Sequence, residues 1–147
     1  MYFVDRKKIE RTLQFIEKQT KTFTGMEHLA GPVEENALER IVHTVIEAIL
    51  DVGNALIDGF IMRDPGSYHD IIDILLDEDV ITEEMEKPLK AIIDLRKPLV
   101  QDYIAIDHER IRETFQEHLE AVQAFPDRVR YFLEHEDVAV TAFKPEK

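Results

Sequence analysis

The chain contains no cysteine, which removes disulfide scaffolds, thiolate metal sites and cysteine nucleophiles together. That composition fits a reducing compartment. Only 5 of its 147 residues are glycine, and with 44% hydrophobic and 33% charged residues it suits a globular helical protein rather than a disordered or fibrous one. No apolar run approaches the roughly 20 residues a bilayer-spanning helix needs, so no membrane association is expected. The start, Met1-Tyr2-Phe3-Val4-Asp5-Arg6-Lys7-Lys8, places its charges after its apolar residues and lacks a small-residue cleavage site. It does not read as a signal peptide, and a cytoplasmic location is expected. Basic residues are outnumbered, 18 against 31 acidic, for a net charge of −13. A protein that neutralises many phosphates usually has a basic surface, so DNA is not an expected partner and any RNA contact must be local. The acidic surface suits a basic protein partner, and plain solubility explains it equally well. There is no glycine-rich phosphate loop and no Gly-x-Ser-x-Gly elbow. None of the 6 histidines has an HExxH or related metal-ligand spacing. No cofactor and no metal are expected.

What is present is helical periodicity. The length predicts one domain that buries roughly two thirds of its unfolded surface, here residues 1–136, followed by a loosely attached tail over 137–147 that has no helical period. Asp5 is placed to cap a first helix to about Thr22, with Ile9, Leu13, Ile16 and Phe23 inward. Residues 24–32 read as a loop. A long second helix, about Val33 to Ile61, carries two adjacent apolar rows. One is Leu38, Ile41, Val45, Ala48, Val52 and Ala55; the other is Val42, Ile46, Ile49, Gly53, Leu56 and Phe60. A face that wide marks the central helix of a bundle. The polar row opposite, Arg40, His43, Glu47, Asp51, Asn54 and Asp58, reads first as a solvated side. Ser67 with Asp70 three residues on starts a third helix in capping-box fashion. Thr82 starts a fourth, which Pro88 and Pro98 are expected to kink or split near Lys87 and near Arg96-Lys97. Asp107 starts a fifth, carrying Ile111, Phe115, Leu119, Val122, Phe125, Val129 and Phe132 and bent at Pro126. The expected fold is all-α, an up-and-down bundle of four to five helices.

Within this pattern one residue is out of place. Met85, Leu89, Ile92, Arg96, Leu99, Tyr103 and Ile106 step by three and four, the stripe a helix turns toward a core or a partner. A permanently charged guanidinium sits in its middle. A buried arginine is rare unless paired, so Arg96 needs an acidic neighbour, and Asp51, or Glu47 with Asn54, on the second helix are the candidates. In the plain reading this is a structural ion pair. His69 and Asp73 also share a face, as such pairs commonly do on helix surfaces.

The order Ala48-Ile49-Leu50-Asp51-Val52-Gly53-Asn54, then Ser67-Tyr68, a leucine-rich third helix, Val80-Ile81 and Arg96-Lys97-Pro98-Leu99-Val100-Gln101-Asp102-Tyr103 resembles the HepT-like branch of the HEPN superfamily, from about Ala37 to Phe125. The resemblance implies an all-helical fold, a homodimer with the site facing a shared cleft, and an MntA-type minimal nucleotidyltransferase antitoxin as partner. Its fourth-helix motif reads Arg-Asn-x-x-Val-His-x-Tyr in metal-independent ribonuclease toxins. By that resemblance Arg96 is the motif arginine and Tyr103 the tyrosine that the partner enzyme adenylylates in some members. Asp51 takes the place of a polar residue that steadies the arginine, and Asn54, Lys97 and Asp102 are supporting residues. Lys97 stands in the Asn position and Gln101 in that of the histidine. RNA cleavage by 2′-hydroxyl attack needs a group that moves protons near neutral pH, and an amide does not do this. Arg96 alone still stabilises developing phosphate charge. The expected function is therefore a ribonuclease-type toxin component of weak or altered activity. The alternative is a non-catalytic dimeric interaction module that keeps the fold. On an unbroken helix Arg96 and Gln101 stand roughly 140° apart and Arg96 and Tyr103 only about 20° apart, so a kink before Pro98 is required to bring residue 101 beside the arginine.

Overall fold

A computed structural model describes residues 4–27 and 30–136, and every regular element among them is a helix. Seven helical segments follow one another: α1 (Arg6–Thr24), α2 (Pro32–Gly59), α3 (Tyr68–Asp77), α4 (Glu83–Ile93), α5 (Arg96–Gln101), α6 (His108–Glu117) and α7 (Leu119–His135). The expected fourth helix is α4 with α5, and the expected fifth is α6 with α7. The tail over 137–147 lies outside the described residues.

The helix starts follow from local chemistry. Asp5 accepts from the Lys8 N–H at 3.0 Å, Ser67 from the Asp70 N–H at 3.0 Å and Asp107 from the Arg110 N–H at 3.1 Å, each satisfying a donor that a helix end leaves orphaned. Thr82 precedes α4 without a side-chain cap bond. Before α2, Gly31 takes φ 146°, a region closed to side chains with a Cβ, and Pro32 occupies the first helical position, where its missing N–H costs nothing.

The prolines act differently from one another. Pro98 clashes with the carbonyl four residues back, that of Asp94, and the helix indeed breaks at Asp94–Leu95, just before the expected Arg96-Lys97. Pro98 itself then lies in the first turn of α5, where no hydrogen bond is lost. Pro88 and Pro126 stay inside continuous helices. The division of the expected fifth helix falls instead at His118, with φ −110° and ψ 17°; nothing in the structure explains that position.

Helix α2 is the centre. It packs against α1, α3, α5 and α6, while α7 closes the bundle against α1, α4 and α6. Both predicted rows of α2 are buried except for half-buried Ala55 and Phe60, and Leu50 and Ile57 join them. Gly53 sets the approach of α3, because a Cβ there would lie 2.6 Å from Ile71 Cγ2, inside any normal contact. Past α2, the Met62 N–H reaches the Ile57 carbonyl at 2.9 Å, and Ile61 takes φ 55° in a place where glycine is usual. This tight reversal delivers the chain to the start of α3.

Candidate functional site

The start of α3 is fixed by Asp70. Its carboxylate accepts two hydrogen bonds from Arg63, at 2.7 and 2.8 Å, and one from the Gly66 N–H at 2.8 Å. In a true capping box that carboxylate would return to the Ser67 N–H; here it reaches one residue further and ties down the whole 63–70 turn. The Arg63 hydrogen bonds, with that from Gly66 second, hold the Asp70 carboxyl down at about 2, against an ordinary 3.8. A depressed folded-state value stabilises the fold fully above the unfolded value, and the benefit is lost as pH falls. The contribution of this turn should therefore be complete above pH 3.8 and vanish toward pH 2. Thermal melts of wild type and Asp70→Asn should differ at neutral pH and converge by about pH 2; parallel curves down to pH 2 would contradict the assignment.

The residues that this turn presents, Tyr68 and His69, are the first two of α3. The Arg96 guanidinium lies over the Tyr68 ring, 4.8 Å from its centroid, and Arg96 Nε donates to Glu47 Oε2 at 2.7 Å. The arginine is thus held on one edge by α2 and on one face by α3. The Glu47 hydrogen bond pushes it further toward its charged form. Among the described residues its two Nη groups have no hydrogen-bond partner. The side chain is 27% exposed, half-buried rather than sealed in the core.

Arg96 lines a cleft of about 580 Å³ together with Lys97 and Gln101 of α5 and with Tyr68 and His69 of α3. Asp94, in the α4–α5 turn, forms part of the same wall, and His69 Nε2 lies 2.6 Å from its Oδ1. Arg96 and Gln101 stand on the same short helix and both line the cleft, with no kink between them; the helix break before Pro98, at Asp94–Leu95, lies ahead of both.

The other residues singled out in the sequence lie elsewhere. Glu47, not Asp51, is the partner of Arg96; Asp51 and Asn54 line a separate groove between α1 and α2 that includes Lys8 and Thr12. Asp102 and Tyr103 follow the end of α5, both exposed, Tyr103 at 67%. Asp73 bonds Lys90 at 2.6 Å rather than acting with His69. Five lining residues were not expected as site residues from the sequence: Ser67, Tyr68, His69, Ile93 and Asp94. His69 and Asp94 form a hydrogen-bonded pair among them. They lie 25 positions apart on different elements, and no local spacing signals the pair.

The chain belongs to the ribonuclease HepT-like family of the HEPN superfamily, whose model matches residues 9–129. It is 51% identical over 144 residues to YutE of Bacillus subtilis strain 168, covering 98% of this chain and 100% of that one; the name of YutE carries a provisional RNase assignment. The solved structure of B. subtilis YutE, described as a cytosolic protein of unknown function, matches with a TM-score of 0.88 at 48% identity, over 100% of this chain and 99% of that one. A tri-AMPylated Shewanella oneidensis HEPN toxin, solved in complex with an MNT antitoxin, shares the fold with a TM-score of 0.73 at 21% identity, over 84% and 96% of the two chains.

Proposed function

We propose that this chain is a HepT-like ribonuclease of altered activity, the toxin-type component of a nucleotidyltransferase-linked pair, and that its reaction is centred on the Arg96 cleft. The observation that carries this reading is the state of Arg96. Glu47 and Tyr68 fix its orientation and leave its Nη groups unpaired at a cleft wall. That forked edge is suited to a phosphodiester. Lys97 adds a second positive charge on the same wall, so RNA is gripped locally despite the acidic surface. Gln101 binds a phosphate or hydroxyl oxygen there without exchanging protons.

The protein works as a cytoplasmic homodimer with the cleft shared between copies. Val100, Tyr103 and Ile104, exposed at 37%, 67% and 90% beside the cleft, suit such a contact. An MntA-type nucleotidyltransferase is the proposed partner, with Tyr103 as the residue it modifies. The related Shewanella toxin was solved AMPylated beside its antitoxin, and the exposure of Tyr103 makes its hydroxyl reachable. Intact mass after co-expression with such an enzyme should rise by whole nucleotide units, and an unchanged mass would remove Tyr103 from the scheme. The same exposed patch favours the alternative, a non-catalytic dimeric interaction module.

The test separating the two is incubation of the purified protein with tRNA and short RNAs in the presence of a chelator. Cleavage leaving 2′,3′-cyclic phosphate ends is expected, with no cut where the scissile 2′-hydroxyl is replaced by hydrogen. Absence of cleavage, or cleavage only with a divalent metal, would overturn the ribonuclease reading.

A further inference from the structure

We propose that His69, oriented by Asp94, is the proton-transfer group of the Arg96 cleft. The inference rests on the ribonuclease reading and supplies the group that Gln101 does not provide.

Four observations carry it. First, His69 is the one imidazole on the cleft wall among the described residues, beside Ser67, Tyr68, Asp94, Arg96, Lys97 and Gln101. Imidazole is the side chain whose charge ordinarily changes between pH 5 and 8. Second, His69 Nε2 sits 2.6 Å from Asp94 Oδ1. A carboxylate at one ring nitrogen fixes the tautomer, keeps the proton there and leaves the lone pair on the other, as the aspartate does in a serine-protease triad. Nδ1 of His69 has no hydrogen-bond partner among the described residues. Third, the ring is 43% exposed and open to a substrate. Fourth, the acid–base pair and the arginine are built from the same two pieces of chain. Tyr68, which stacks on Arg96, immediately precedes His69, and Asp94 precedes Arg96 by two residues. The other short histidine–carboxylate contact, His108 with Glu39 at 2.6 Å, joins α6 to α2 away from this cleft.

In the proposed step the 2′-oxygen attacks the adjacent phosphorus, forming the P–O2′ bond as the P–O5′ bond breaks. The 2′-hydroxyl proton passes to His69 Nδ1, and the departing 5′-oxygen takes a proton from water. The products are a 2′,3′-cyclic phosphate and a 5′-hydroxyl end, and the imidazolium returns its proton to solvent. The Arg96 Nη groups carry the charge that builds on the non-bridging oxygens. The charged groups around His69 are Asp94, Arg96 and Lys97 on the cleft wall and, one turn along α3, Asp73 paired with Lys90.

His69→Gln is the informative variant, because an amide still donates to Asp94 but does not exchange protons usefully. Its melting temperature should match wild type while RNA cleavage falls about 10²-fold or more. Adding Gln101→His to His69→Gln places an imidazole back on the same wall and should restore at least about tenfold of that loss. Full cleavage by His69→Gln alongside loss in Arg96→Ala would overturn the role of His69 and leave the ribonuclease reading standing. A loss that Gln101→His does not repair would reduce His69 to a positioning residue and also overturn the proposal. Wild-type protein that cuts no RNA, or an Arg96→Ala protein that cuts as fast as wild type, would sink the underlying reading and this proposal with it.

Discussion

Arg96→Ala is expected to lower RNA cleavage by about 10²–10³-fold, the loss typical when one preorganised donor to a developing oxyanion is removed, while leaving the fold almost as stable as before. The second half of that expectation separates function from architecture. Were the Arg96–Glu47 pair sealed in the core, removing one member would strand a buried charge and cost about 3–5 kcal/mol. The side chains are instead 27% and 38% exposed, and ion pairs of that kind contribute about 0–1 kcal/mol. Glu47, freed of its partner, remains in contact with water. Arg96→Lys keeps the charge and loses the planar fork, so its rate should fall between those of wild type and Arg96→Ala. Initial cleavage rates measured beside thermal melts decide the matter. A large drop in melting temperature with unchanged cleavage would make the pair structural.

The largest expected loss of stability lies elsewhere, at Phe115. Its side chain is fully buried, and its ring meets that of Phe23 edge-on, centroids 4.7 Å apart and planes at 74°, pinning α6 to α1. Truncating a buried phenylalanine costs about 3–5 kcal/mol through lost burial and the cavity left behind. The aromatic pairing accounts for about 0.5–1.5 kcal/mol beyond area alone. Against a total stability of about 5–15 kcal/mol for a domain, Phe115→Ala should bring the protein close to its unfolding threshold. Urea denaturation should show a midpoint shift equivalent to at least about 3 kcal/mol. A shift below about 1 kcal/mol would mean that the α1–α6 contact repacks freely. Phe115 does not line the Arg96 cleft, so the fraction that remains folded should retain its activity.

The parts of the fold that depend on neighbours in sequence are legible in the sequence itself. The two rows of α2 and the caps at Asp5, Ser67 and Asp107 need only a helical repeat or a three-residue reach, and they stand where the sequence placed them. The contacts that cross elements were harder to read. Arg96 and Glu47 are 49 positions apart, and the choice between Glu47 and Asp51, one turn apart on α2, depends on how α5 leans on α2. His69 and Asp94 meet where the start of α3 packs beside the end of α4, a contact that depends on how the two helices lie against each other. Tyr103, nearly eclipsed with Arg96 on an unbroken helix, instead lies past the end of α5 at Gln101 and turns outward, while Met85, Leu89, Ile92 and Leu99 keep the stripe buried. The end of α5 at Gln101, which the three- and four-residue steps of the stripe do not signal, sets the exposure of the tyrosine.

The location of the site is tested most directly by binding without turnover. A short RNA carrying 2′-O-methyl groups offers the same phosphates but no attacking hydroxyl, and it can be titrated into isotope-labelled protein while backbone amide resonances are followed by NMR. With the site at this cleft, saturable shifts are expected at Tyr68, His69, Asp94, Arg96, Lys97 and Gln101, lost in Arg96→Ala. Shifts confined to the α1–α2 groove at Asp51 and Asn54, or undiminished binding by Arg96→Ala, would contradict that placement.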